Sequence, residues 1–143
     1  MKAISVLSPY GPLIMLGYKN KETRTWNIRY RGDLLICAAK RPHAGNVLLP
    51  GIIMGSNSRK STPLECGKAL NDFPQLALFG VALCVVKVVG CEPMRYMDQQ
   101  DACCFWYPGA YCWKLEDVRP VEQIPVKGSQ GFFSVDDSLI KFL

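Results

Sequence analysis

Two long apolar runs constrain this chain more than any other feature. Leu34-Leu35-Ile36-Cys37-Ala38, opening at Asp33 and closing at Ala39, is continuously apolar. Leu76 to Gly90 is nearly so, rich in valine and interrupted by a single charge at Lys87. Uninterrupted runs of this length, rich in β-branched residues, predict strands covered on both faces. The second run predicts a central strand over Ala77 to Gly90, bent at Gly80. Around this pair the pattern predicts a first strand at Lys2 to Ser8 and a short helix at Pro12 to Leu16, ended by Gly17 in a left-handed conformation.

Further elements are short. Glu22 to Trp26 is β-favouring, with Glu22, Arg24 and Trp26 on one strand face and Thr23 and Thr25 on the other. Met94 to Asp101 predicts a short helix, and Phe105 to Leu115 an aromatic strand with Tyr107, Tyr111 and Trp113 on one face. Val118 to Val126 holds Pro120 and Pro125, which confines it to an edge. A final strand is expected at Phe132 to Val135, followed by a short helix capped by Asp136 or Asp137. Residues 41–75 are dense in Gly and Pro and predict an irregular excursion with one short helix near Leu64 to Leu70. The sum is an α+β chain, a small β-barrel of about six strands with two or three short flanking helices. Its 143 residues fit a single domain over 1–143.

Charge is distributed unevenly. Lys19, Lys21, Arg24, Arg29, Arg31, Lys40 and Arg41 stand against Glu22 and Asp33, so this one stretch carries the whole net charge of +5. Tyr18, Trp26 and Tyr30 are interleaved with these cations. Cations among aromatics suit a polyanion that also presents flat faces, as single-stranded nucleic acid does. The other reading is a solvated basic edge, so charge alone leaves both open.

Cysteine usage points away from metal. There are seven cysteines and one histidine, His43, with no closely spaced C-x-x-C pair. Cys37 and Cys84 lie inside the apolar runs as small hydrophobes. Cys103-Cys104 is the only pair with a redox reading. No metal and no cofactor is expected. No apolar run reaches the roughly 20 residues of a membrane span, and Ala3 to Leu7 is too short for a signal-peptide core, so the expected location is cytoplasmic.

Gly17-Tyr18-Lys19-Asn20-Lys21-Glu22-Thr23-Arg24, followed by Trp26 and Tyr30-Arg31-Gly32-Asp33-Leu34-Leu35-Ile36, resembles the ASCH domain family in its G-x-K-x-x-E-x-R hallmark and the strand after it. The resemblance continues through Gly80-Val81-Ala82-Leu83, Trp113-Lys114-Leu115 to Val118-Arg119-Pro120, and Pro125-Val126-Lys127-Gly128-Ser129-Gln130-Gly131. It implies a PUA-like fold with a cleft beside the Lys/Glu/Arg motif that accepts RNA or a nucleotide-derived ligand. It also implies a protein partner in a transcription or translation context. Some relatives are enzymes, one branch removing acyl groups from N4-acetylated cytidine and others cleaving RNA.

The site expected on these grounds comprises Tyr10, Lys19, Glu22, Arg24, Trp26, Lys40 and Arg41. Lys19 and Arg24 suit a phosphate or carbonyl oxygen, Arg24 as a fork that Glu22 orients. Tyr10 reads equally as a ring for a base or a core plug, Trp26 as core or cleft wall in preference to an exposed platform, and Lys40 and Arg41 as backbone contacts at a strand end. Arg59 and Lys60 read first as ordinary solvated loop cations, the alternative being that they close over the site from the excursion. The alternative is a hydrolase in which Lys19 and Glu22 act as acid and base. The amidohydrolase branch uses lysine, threonine and glutamate. Here Glu22 occupies the threonine position, Thr23 is one residue out of register, and Ala82 to Val86 holds no glutamate.

Overall fold

The computed structural model describes residues 1–55 and 60–143. In chain order it contains β1 (Lys2–Ser8), α1 (Tyr10–Met15), β2 (Lys21–Arg24), β3 (Gly32–Pro42), β4 (Asn46–Leu49), β5 (Thr62–Glu65), α2 (Cys66–Asp72), β6 (Ala82–Pro93), α3 (Gln99–Ala102), β7 (Tyr111–Pro120) and β8 (Phe133–Ser134). Short 3-10 turns at Pro74–Leu76, Tyr96–Asp98 and Asp137–Leu139 join or end them. Asp136 caps the last of these, accepting from the Ser138 amide at 2.9 Å.

The two apolar runs form the centre of a six-stranded sheet ordered β2-β7-β6-β3-β1-β8. Strands β3 and β6 pair antiparallel with Leu34 opposite Val86, Leu35 opposite Val85 and Ile36 opposite Cys84. Alternation splits them between two cores. Leu34, Ile36 and Ala38 face one side with Ile4, Val6, Ile14 and Trp113, and Leu35 and Cys37 face the other with Ala3, Val85 and Val121. Both faces are covered, which is why neither run alternates with polar residues. Burial pushes the thiols of Cys37 and Cys84 up to about 12, so both remain neutral packing groups.

The expected barrel does not form. The sheet ends at β2 on one side and at β1–β8 on the other, and no backbone ladder joins these ends. Strand β8 covers only Lys2 and Ala3 of β1, leaving the remainder of that edge without a strand neighbour. The gap is crossed by a side chain, Arg24 Nη2 donating to the Ser5 carbonyl at 2.9 Å. Strand β2 has only four residues and lies along Tyr111 to Lys114 of β7, so it is too short to close the sheet by its own amides.

Several local expectations change in the same way. Residues 41–75 are more regular than their composition implies: β4 and β5 form a two-stranded hairpin, and Glu65 caps α2 by accepting from the Gly67 and Lys68 amides, each at 2.9 Å. This unit packs Val47, Leu49 and Cys66 onto Leu13 of α1. Arg59 lies outside the described residues. Gly80, at φ +68°, makes a turn that precedes β6 instead of a bend within it. Tyr107 is in a loop before β7, because the chain turns at Pro108 and Gly109. Pro120 ends β7 beyond the reach of β2, where one side of the strand needs no donor. Among the described residues no helix is long and apolar enough to cross a membrane.

Candidate functional site

The gap in the sheet holds the candidate site. Helix α1 ends at Met15, and Gly17 takes φ +85° so that the Tyr18 and Lys19 amides turn back onto the Leu13 carbonyl at 3.0 and 3.1 Å. That reversal sends the Lys19 side chain inward, where it is only 1% exposed. Its ammonium donates to the Lys21 carbonyl at 2.8 Å and to the Ala102 carbonyl at 2.5 Å. Ala102 is the last residue of α3, so its carbonyl has no partner within the helix. Lys21 secures the same junction through ion pairs to Asp98 at 2.8 Å and Asp101 at 3.1 Å.

Glu22 neutralises this buried cation. It is 5% exposed, with Oε1 at 3.5 Å from the Lys19 ammonium and 3.2 Å from the Thr23 amide that donates to it. Its Oε2 accepts from Arg24 Nε at 3.0 Å and lies 2.9 Å from Arg24 Nη2. Burial works to raise the carboxyl pKa, but the adjacent Arg24 and Lys19 charges outweigh it and hold Glu22 below the usual carboxylate range. Glu22 is therefore an anion at neutral pH with both oxygens engaged. Nε and Nη2 of Arg24 are engaged too, while Nη1 has no hydrogen-bond partner among the described residues.

Tyr10, Lys19, Glu22, Thr23 and Arg24 line an inner cavity of about 440 Å³, with Ser5 and Leu7 of β1 forming its opposite wall. Lys19 Nζ lies 4.9 Å over the Tyr10 ring, and the His43 ring is 5.0 Å from it. Burial pushes the Tyr10 hydroxyl pKa well up, so it stays a neutral phenol. Burial, helped by the Lys19 charge, holds His43 below the ordinary histidine value. Thr23 also lines this cavity despite its register, and its hydroxyl and the Cys104 thiol are 3.5 Å apart.

Ser5, Leu7 and Arg24 also line an outer groove of about 1050 Å³, which adds Trp26, Lys40, Arg41 and the loop from Val126 to Phe132. Trp26 stands edge-on to Trp113 at 4.9 Å and to Phe132 at 5.5 Å, so it is a fixed wall of this groove. The loop lies directly on β1: a Cβ at Gly128 would sit 2.2 Å from Ser5 Oγ.

The seven residues nominated from sequence thus line two adjoining cavities with Arg24 at the junction. Sequence reasoning gave no site role to Ser5, His43, Asn46, Phe105, Tyr107 or Lys127, all of which line one or the other. The signal available was the Lys127-to-Gly131 match to the family, which marks a position without giving it work.

The fold and site define a class: a small mixed α+β protein with an open six-stranded sheet and a basic cleft where the sheet fails to close. The chain belongs to the ASCH domain family, whose family model matches residues 4–125. Its fold is similar to the crystal structure of ASCH from Zymomonas mobilis, at 10% identity and a TM-score of 0.56, covering 96% of this chain and 88% of that one. A tyrosine-to-phenylalanine mutant of the Zymomonas mobilis protein aligns with the same identity and score over 98% of both chains. At 10% identity the likeness establishes the fold alone. No curated protein sequence matches.

Proposed function

We propose that this chain, as one domain over residues 1–143, binds RNA or a modified nucleotide in the cleft formed by the inner cavity and the outer groove. The observation that carries this reading is Arg24, fixed by Glu22 and the Ser5 carbonyl at the junction of both cavities with one guanidinium nitrogen to spare. A guanidinium held in advance gives a ligand oxygen a partner at small entropic cost. The ASCH family is generally thought to bind RNA, which supports the same assignment. Tyr10 and His43 line the inner cavity with rings that a base can pack against, and Lys19, Glu22 and Arg24 together leave a net charge of +1 there.

Binding of labelled single-stranded RNA at increasing salt tests the reading. With about three to five phosphate contacts, log affinity should fall against log salt with a slope of roughly −2 to −3.5. A slope near zero, or equal binding to any acidic polymer, overturns it. Co-purification with an acidic protein in place of nucleic acid would favour an adaptor.

The hydrolase reading has one observation in its favour, the Thr23 hydroxyl inside the cavity beside Glu22. Against it, the Lys19 ammonium is already spent on two carbonyls and a carboxylate. Unchanged N4-acetylcytidine and unchanged RNA after prolonged incubation with the protein would exclude both family activities.

A further inference from the structure

The geometry points to a division of work within this cleft, an inference that rests on the reading above. The inner cavity takes one nucleoside, and the outer groove takes the backbone of the strand to which it belongs, with Arg24 on the phosphate between them. The preferred ligand is therefore an extended single-stranded polynucleotide, not a free nucleotide.

Three observations converge. The first is size: about 440 Å³ lies at the small end of ligand pockets, roughly 300–1,000 Å³, enough for a single nucleoside-sized group. The groove continuous with it is about 1050 Å³, far more than one nucleotide fills.

The second is charge. Arg24, Lys40, Arg41 and Lys127 line the groove, and among the described residues no carboxylate does. Among the described residues none of Lys40, Arg41 and Lys127 has an ion-pair partner, so their field is unquenched. Elsewhere Lys21, Lys68, Arg95, Lys114 and Arg119 are paired with acids while Lys2, Arg29, Arg31, Lys87 and Lys141 have no ion pair among the described residues, so what marks the groove is that its cations stand together with no acid among its lining. A mononucleotide has one phosphate and cannot engage four separated cations, whereas a strand presents a phosphate at every residue.

The third is the junction. Glu22 and Ser5 fix two nitrogens of Arg24 and leave Nη1, placing one donor at the mouth between compartments. A base entering the inner cavity leaves its own phosphate at this mouth. A duplex would have to surrender that base from its stack, so a single strand is the natural occupant. Lys127, on the loop seated against Ser5, acquires a role that neither its position nor its charge announces.

The test compares a labelled random-sequence octaribonucleotide with the four nucleoside 5′-monophosphates, using the whole chain and the triple variant Lys40→Gln, Arg41→Gln, Lys127→Gln. The wild-type protein should bind the octamer at least about a hundredfold tighter than any monophosphate, with a salt slope near −3 for about four contacts. The triple variant should bring the slope to about −1 and reduce the octamer-to-monophosphate ratio at least about tenfold. A length series from mono- to octanucleotide in the wild-type protein gives the same answer without any variant: affinity should climb over the first several nucleotides and then level. If the octamer binds no tighter than a monophosphate, or the triple variant keeps the full slope, the division of work is wrong although nucleotide binding stands. If neither probe binds at low salt, nucleotide binding itself fails, and this inference with it.

Discussion

The inner cavity and the outer groove share Arg24, yet they handle charge in opposite ways. Inside, Lys19 and Glu22 are buried and Arg24 half-buried, with Glu22 paired to both cations and each cation also bound to a carbonyl. Outside, Lys40, Arg41 and Lys127 stand exposed and unpaired. A buried cation is tolerable only with a compensating partner, because the loss of hydration is otherwise uncompensated. An exposed one loses little hydration and is free to meet a ligand. The first arrangement builds the fold as much as the site, while the second is available for recognition and for little else. The G-x-K-x-x-E-x-R motif therefore describes how a cleft is held open, and the cations at the end of β3 describe what it attracts.

The sharpest way to break this comparison is Glu22→Gln. It leaves Lys19 buried without a counter-charge and should lower unfolding stability by about 3–5 kcal/mol in urea denaturation. A loss below about 1 kcal/mol would mean that the triad is not a structural unit. Gly128→Ala comes next. Its Cβ would collide with Ser5 Oγ, and because that hydroxyl can rotate away the cost should be no more than about 1 kcal/mol, with octanucleotide affinity nearly unchanged. A larger loss of both would show that the substitution displaces the loop itself from β1.

Acidification should separate the compartments next. His43 is held below its ordinary value of 6.5, so the unfolded chain takes up the proton first and stability begins to fall as pH drops through 6.5. Glu22 is held below its ordinary 4.5; its contribution is complete above that value and is lost as pH falls through it toward the lower folded value. Chemical denaturation at a series of pH values should show both declines, and Glu22→Gln should remove the second contribution. A Lys40→Gln, Arg41→Gln double variant should retain both. The smallest effect is expected for those two substitutions on stability itself, within about 0.5 kcal/mol each. A larger loss would place them in the fold.

What the sequence revealed divides along the same boundary. Strands β3 and β6 were legible because burial on both faces leaves an uninterrupted apolar run. Lys19, Glu22 and Arg24 were marked by a compact motif and Tyr10 by its place after Pro9, and all four line the inner cavity; Gly17 was marked as the reversal that ends α1. Closure of the sheet was not legible, since it turns on one contact between Arg24 and Ser5 that no local pattern encodes. The β4–β5 hairpin was hidden because its strands have four residues each and include Pro63. His43, Tyr107 and Lys127 come from separate loops; His43 and Lys127 each look like an ordinary loop residue, and Tyr107 read as part of an aromatic strand. Register alone put Thr23 on the far face, yet it lines the inner cavity.

The open seam has a consequence for motion. Most neighbouring strands are tied by a backbone ladder, but between Arg24 and Ser5 the sheet is tied by one side-chain hydrogen bond. Parting there breaks far less than parting any pair of central strands, so the earliest opening should occur across the cleft itself. Amide hydrogen exchange would report it as rapid exchange in β2 and along the free edge of β1, with the amides shared by β3 and β6 among the slowest. A ligand spanning both compartments would act as the missing rung, slowing exchange on both sides of the seam at once.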